Sequence, residues 1–99
     1  MNHATAVRGP LVARPVVTAW RIRRFIVRNL LEEPFDGRDP LSEEALDSLA
    51  IEQLIDYIEE RFGVVFDDEE VVRENFSSIP TLAALVNEKR RATRGAAGA

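Results

Sequence analysis

The 99-residue chain contains no cysteine. Without thiols there is no disulfide framework, no thiolate metal site and no cysteine nucleophile, so any working sulfur has to arrive on an imported group. Histidine is nearly as scarce. His3 is the only one, and it lies in residues 1–15, which read as a flexible tail, so no catalytic or ligand role is expected of it. Long apolar runs are missing as well. Arg8, Gly9, Pro10, Arg14 and Pro15 interrupt the N-terminal segment, which lacks the roughly 7 to 15 apolar residues of a secretory signal core. No stretch approaches the ~20 apolar residues of a membrane span. The expectation is a cytoplasmic protein with no membrane segment. Autonomous catalysis is not expected either: a serine nucleophile needs a base within reach, and paired acid–base carboxylates need contrasting environments. Asp67, Asp68, Glu69 and Glu70 are consecutive; four adjacent carboxylates cannot face one ion and calcium-loop spacing is absent, so they read as solvated charge and not as a metal site.

What is present is an uneven charge pattern on a net charge of −4. Between Glu32 and Glu74 there are sixteen acidic and three basic side chains, against one acidic and ten basic in the two flanks. Such a field steers encounter with oppositely charged surfaces. The acidic middle implies partners with basic docking surfaces and argues against nucleic acid. Arg21, Arg24 and Arg28 recur at helical spacing and read as a solvated helix face.

The stretch Ala45 to Phe62 organises the chain. At about 100° per residue, Ile51, Leu54, Ile55, Ile58 and Phe62 share one helix face, and Glu52, Asp56 and Glu59 lie opposite. Leu49 falls with the acids, so a bare leucine is expected beside Ser48 on the exposed side. Either Asp47 or Ser48 can cap the helix, and its first-turn N–H groups would favour a phosphate by about 0.3 to 1 kcal/mol.

Asp47-Ser48-Leu49, the acidic helix after it, Phe62-Gly63-Val64 and the final Ile79-Pro80-Thr81-Leu82-Ala83-Ala84-Leu85-Val86 together resemble an acyl carrier protein, over roughly residues 18 to 89. The resemblance implies an all-α fold: a small four-helix bundle of three main helices plus a short third helix, with a long loop between helices 1 and 2. It implies that Ser48 bears 4'-phosphopantetheine as a phosphodiester, that the arm's thiol holds acyl groups as thioesters, and that Asp47 helps a phosphopantetheinyl transferase recognise the serine. Leu49, Glu52, Asp56 and Glu59 would form the face on which acyl-loading and acyl-using synthase enzymes dock. The protein would then be a non-catalytic, monomeric carrier for fatty-acid, polyketide or related biosynthesis. Asp-Ser-Leu leans toward acyl cargo, with an aminoacyl or peptidyl carrier as the alternative and an unmodified helical interaction module behind both. The shortness of the chain fits a discrete, dissociable synthase system. Two features depart from the family: the run before the aspartate is Glu44-Ala45-Leu46, where many relatives place a glycine, and the first loop is short for a fatty-acid synthase carrier.

The remaining elements follow from pattern. Helix 1 is predicted from near Val17 to Glu32, with Ile22, Phe25, Ile26 and Leu30 facing the core and Pro34 stopping it; Trp20 could anchor it or face solvent. Between Pro34 and Leu46 turn formers such as Asp36-Gly37 and Asp39-Pro40 make the presenting loop, with Leu41 and Leu46 turned inward. Gly63 stops helix 2, Val64-Val65-Phe66 reads as a buried extended connector, and Asp67 with Glu70 resembles a capping pair. Val71, Val72 and Phe76 suggest the short third helix. Ser78 is a plausible N-cap for the last helix, whose Leu82, Leu85 and Val86 close the core. The folded domain is expected over residues 16–91, with residues 92–99 a disordered tail.

Overall fold

The computed structural model describes residues 16–98, with side chains described as far as residue 93. The expectations for residues 1–15, His3 among them, lie outside the described residues. Among the described residues the structure is all-helical, without strands. Helix α1 occupies residues 16–30, its final turn, Ile26–Leu30, being a π-helix. Helix α2 is Ser48–Phe62 and helix α3 is Ile79–Gly98. Two 3-10 turns, Asp68–Glu70 and Arg73–Phe76, stand between them.

The stripes expected to be apolar do form the core. Ile22 and Ile26 from α1, Leu54 and Ile58 from α2, and Leu82 and Val86 from α3 are fully excluded from solvent. Burying each of these contributes on the order of 1.5 to 3 kcal/mol, which is why the three amphipathic helices hold together in so short a chain. Phe25 of α1 stacks on Tyr57 of α2, ring centroids 4.0 Å apart and 9° from parallel. Tyr57 in turn meets Phe62 edge-on, so one aromatic ladder ties α1 to the far end of α2.

Helix α1 ends earlier than the pattern predicts. Leu31 is already extended, and the wide π turn alters the helical phase so that Leu30 and Leu31 both pack against the core. The Asn29 side-chain amide donates to the Phe25 carbonyl at 3.2 Å, within the same turn. Trp20, which the sequence left undecided, is 56% exposed.

The short third helix takes a different form from the one expected. The backbone makes two 3-10 turns, and Val71 and Val72 fall between them, both exposed. The reason is local: Glu70 Oε1 accepts the Asp67 N–H at 2.9 Å and the Lys89 ammonium at 2.7 Å, closing the first turn before an α-helix can propagate. Phe76, from the second turn, is buried and meets Phe66 at 5.9 Å. The connector alternates as extended backbone should: Val64 and Phe66 are buried and Val65 faces out.

Helix α3 starts with Ser78, whose Oγ accepts the Thr81 N–H at 3.2 Å. Its helical backbone continues to Gly98.

Candidate functional site

The N-terminus of α2 is built from its cap outward. Asp47 is the cap: its backbone is extended, its Oδ1 accepts the Ala50 N–H at 2.8 Å, and its carbonyl accepts the Ile51 N–H at 2.9 Å. Of the two candidates the sequence offered, Asp47 therefore does the capping, and Ser48 becomes the first helical residue. The Ser48 side chain is exposed and makes no hydrogen bond among the described residues. Its hydroxyl is thus available for chemistry without breaking the helix start. The N–H groups of Ser48 and Leu49 have no intrahelical acceptor, and the positive end of the helix dipole faces the same side, so a phosphate diester on Ser48 would sit in a favourable field.

The loop between α1 and α2 is held by carboxylates. Asp39 Oδ1 accepts the N–H groups of Leu41 and Ser42, and its Oδ2 reaches the Ile79 N–H at the start of α3, 2.9 Å away. Glu43 Oε2 accepts from the Arg38 and Asp39 N–H groups. Gly37 leaves room for its neighbours: a Cβ there would require the Glu43 carboxylate and the Phe35 ring to shift. Leu41 is buried and Leu46 half-buried, as expected. The turn ends at Glu44, a non-glycine residue with φ of +54°, immediately before the Ala45-Leu46-Asp47 run that delivers Ser48.

Beside Ser48 opens a groove of about 550 Å³. The loop contributes Leu46 with the polar Ser42 and Glu44, α2 contributes Ile51, the second 3-10 turn contributes Arg73 and Phe76, and Val71 and Val72 come from between the two turns. The sequence pattern placed both valines in a short third helix and gave no expectation of this wall. The only signal in the sequence was two valines set among charged residues, Glu69-Glu70-Val71-Val72-Arg73-Glu74.

The four residues expected to make a docking face do not behave alike. Leu49 is 62% exposed, and Glu52 and Asp56 are exposed with no hydrogen bond or ion pair among the described residues. Glu59 has other work: it is half-buried, and its Oε2 accepts the Phe66 N–H at 2.9 Å, pinning the connector to α2. It sits on the edge of the acidic face, one turn past Asp56, where the chain doubles back after Gly63. That glycine has φ of +69° and donates its N–H to the Glu59 carbonyl, the left-handed stop expected of it.

A family model described as phosphopantetheine attachment site matches residues 21–88. Comparison with curated proteins and with solved structures returned no match.

Proposed function

Because the chain belongs to the phosphopantetheine attachment site family, and is therefore a carrier with covalently attached 4'-phosphopantetheine, we propose that Ser48 is the attachment residue and that the cargo is acyl. The observation that carries this reading is the division of labour at the start of α2: Asp47 makes the capping bond, and the neighbouring hydroxyl is left exposed and unengaged. The residues suit the group. The hydroxyl is accessible, the first-turn N–H groups favour its phosphate, and a groove of mixed polar and apolar lining opens alongside. When bound, the group supplies the thiol that this cysteine-free chain lacks, and with it a place to hold an acyl group as a thioester.

The chain's own contribution is presentation. Ser48 would hold the group as a phosphodiester: its Oγ, losing its proton to the transferase or solvent, would bond the pantetheine-side phosphorus of coenzyme A as the pyrophosphate linkage breaks and adenosine 3',5'-bisphosphate leaves. Asp47 keeps the helix start closed throughout, so the serine is offered on rigid backbone. Leu49, Glu52 and Asp56 form an exposed apolar and acidic surface next to it, suited to loading enzymes and synthases with basic docking faces. Within a mixed lining that also holds Ser42, Glu44 and Arg73, the side chains of Leu46, Ile51, Val71, Val72 and Phe76 give an acyl chain apolar surface to lie against. Tethering then raises the effective concentration of cargo at each partner enzyme.

The test is intact mass after incubation with a broad-specificity transferase and coenzyme A. Wild type gains one phosphopantetheinyl group and a Ser48→Ala copy gains nothing. The substitution leaves the Asp47 cap in place, so the copy keeps wild-type helicity, and an equal mass gain in both proteins would refute the assignment. The mass of the charged form, trapped from a producing cell, then identifies the cargo class.

A further inference from the structure

The α1 arginines amount to more than a solvated face. Arg21, Arg24 and Arg28 converge with Arg61, from the last turn of α2, on a groove of about 430 Å³ that also includes Trp20 and Tyr57. Trp20 is exposed and carries the Arg24 guanidinium over its ring at 5.1 Å. Arg21, Arg28 and Arg61 make no hydrogen bond or ion pair among the described residues. Nor can the N-terminal segment neutralise them, because residues 1–31 contain no Asp or Glu. Four arginines around an exposed indole, in a protein of net negative charge, form a surface with no counterpart inside the molecule. Like-charged side chains held together this way favour an incoming anion.

We propose that this groove is a second docking surface, for an acidic and partly apolar polypeptide segment of a partner protein. Charge complementarity sets the sign of the occupant. The surroundings set its class: Asp56 and Glu60 are exposed on α2 next to Tyr57 and Arg61 in sequence, and would repel a continuous polyanion such as nucleic acid or an anionic bilayer. A peptide can place carboxylates on the arginines and an apolar side chain on Trp20 while keeping its charge clear of those acids. The surface lies at the opposite end of α2 from Ser48, about 20 Å away for thirteen residues of helix. A partner held there leaves the Ser48 end open, so the carrier could be kept on a scaffold while its other end is served. The proposal goes beyond the attachment reading and does not depend on it.

Trp20 is the only tryptophan, so its fluorescence reports this groove alone. The experiment titrates the full chain at low salt with a short synthetic peptide of Glu, Asp and Leu, and in parallel with a lysine-substituted peptide, a single-stranded oligonucleotide and phosphatidylglycerol vesicles. The expected result is a saturable change with the acidic peptide only, weakened about tenfold or more by Arg24→Glu with Arg28→Glu and unchanged by Ser48→Ala. Where the double reversal lowers helicity, Arg28→Gln with Arg61→Gln takes its place, with the affinity read by calorimetry. Absence of a saturable change, tighter binding of oligonucleotide or vesicles, or unaltered affinity in the folded arginine variants overturns the proposal. Retained peptide binding in a Ser48→Ala protein that gains no mass keeps the two readings separate.

Discussion

Ser48 is usable because Asp47 relieves it of structural duty, and the same contrast recurs at other single residues. Glu59 carries a backbone hydrogen bond to Phe66, whereas Glu52 and Asp56 carry none. Glu59→Ala is therefore expected to lower stability by about 1 kcal/mol in chemical denaturation. Glu52→Lys and Asp56→Lys should change stability by less than about 0.5 kcal/mol while slowing loading by a phosphopantetheinyl transferase. Unslowed loading of the two lysine variants would remove them from the docking face. Glu44 presents a different case. Its φ of +54° is a left-handed conformation that disfavours side chains. Glu44→Gly should raise stability by about 0.5 to 1 kcal/mol, measured as a higher denaturation midpoint. A lower midpoint would mean that the loss of chain entropy outweighs the relief of strain.

Among the elements, the loop before α2 matters most, because it decides where the serine stands. Asp39 serves as a hub: one carboxylate oxygen orders the turn at Leu41 and Ser42, and the other caps the first N–H of α3. The loop that presents Ser48 is thereby fastened to the helix that closes the core. Asp39→Ala should cost about 1 to 3 kcal/mol and raise amide exchange at both Leu41 and Ile79, although these lie far apart in sequence. Faster exchange at Leu41 alone would show that the link to α3 contributes nothing. The 3-10 turns are a second element with consequences. An α-helix in their place would rotate Val71 and Val72 by a different step, whereas the tighter turns leave both on the wall of the groove next to Ser48.

At the scale of the whole molecule, charge is segregated: acids line α2, the loop before it and the first 3-10 turn, and bases line α1 and α3. The two signs meet at Glu70 and Lys89, where an ion pair of 2.7 Å joins the first 3-10 turn to α3. The Lys89 hydrogen bond first, then the Asp67 N–H, hold the Glu70 carboxyl below its ordinary value against an opposing desolvation. A carboxyl depressed in the folded state stabilises above its unfolded value and loses that contribution as pH falls through the folded one. Wild type should therefore melt above Glu70→Gln at neutral pH, and the gap should close in acid, below the ordinary carboxylate range. A gap that persists there would assign the difference to packing. No helix of the described residues is long and apolar enough to cross a membrane.

Much of this was legible in the residues themselves. The periodicity of α2, the pair of capping candidates Asp47 and Ser48, the glycine stop at Gly63 and the outward leucine at position 49 are properties of neighbours within one or two turns, and local physics decides them. The absence of cysteine likewise settles that a working thiol must be imported. What only the folded chain decided are the contacts between distant residues: Asp39 with Ile79, forty positions apart, and Thr18 with Asn87, sixty-nine apart and buried between α1 and α3. The commitment of Glu59 to Phe66, the groove beside Ser48 and the convergence of Arg61 on the α1 arginines belong to the same class. A helical pattern specifies which way a side chain leaves its own axis, but which element it meets depends on how three axes pack, and that is set by the shared core.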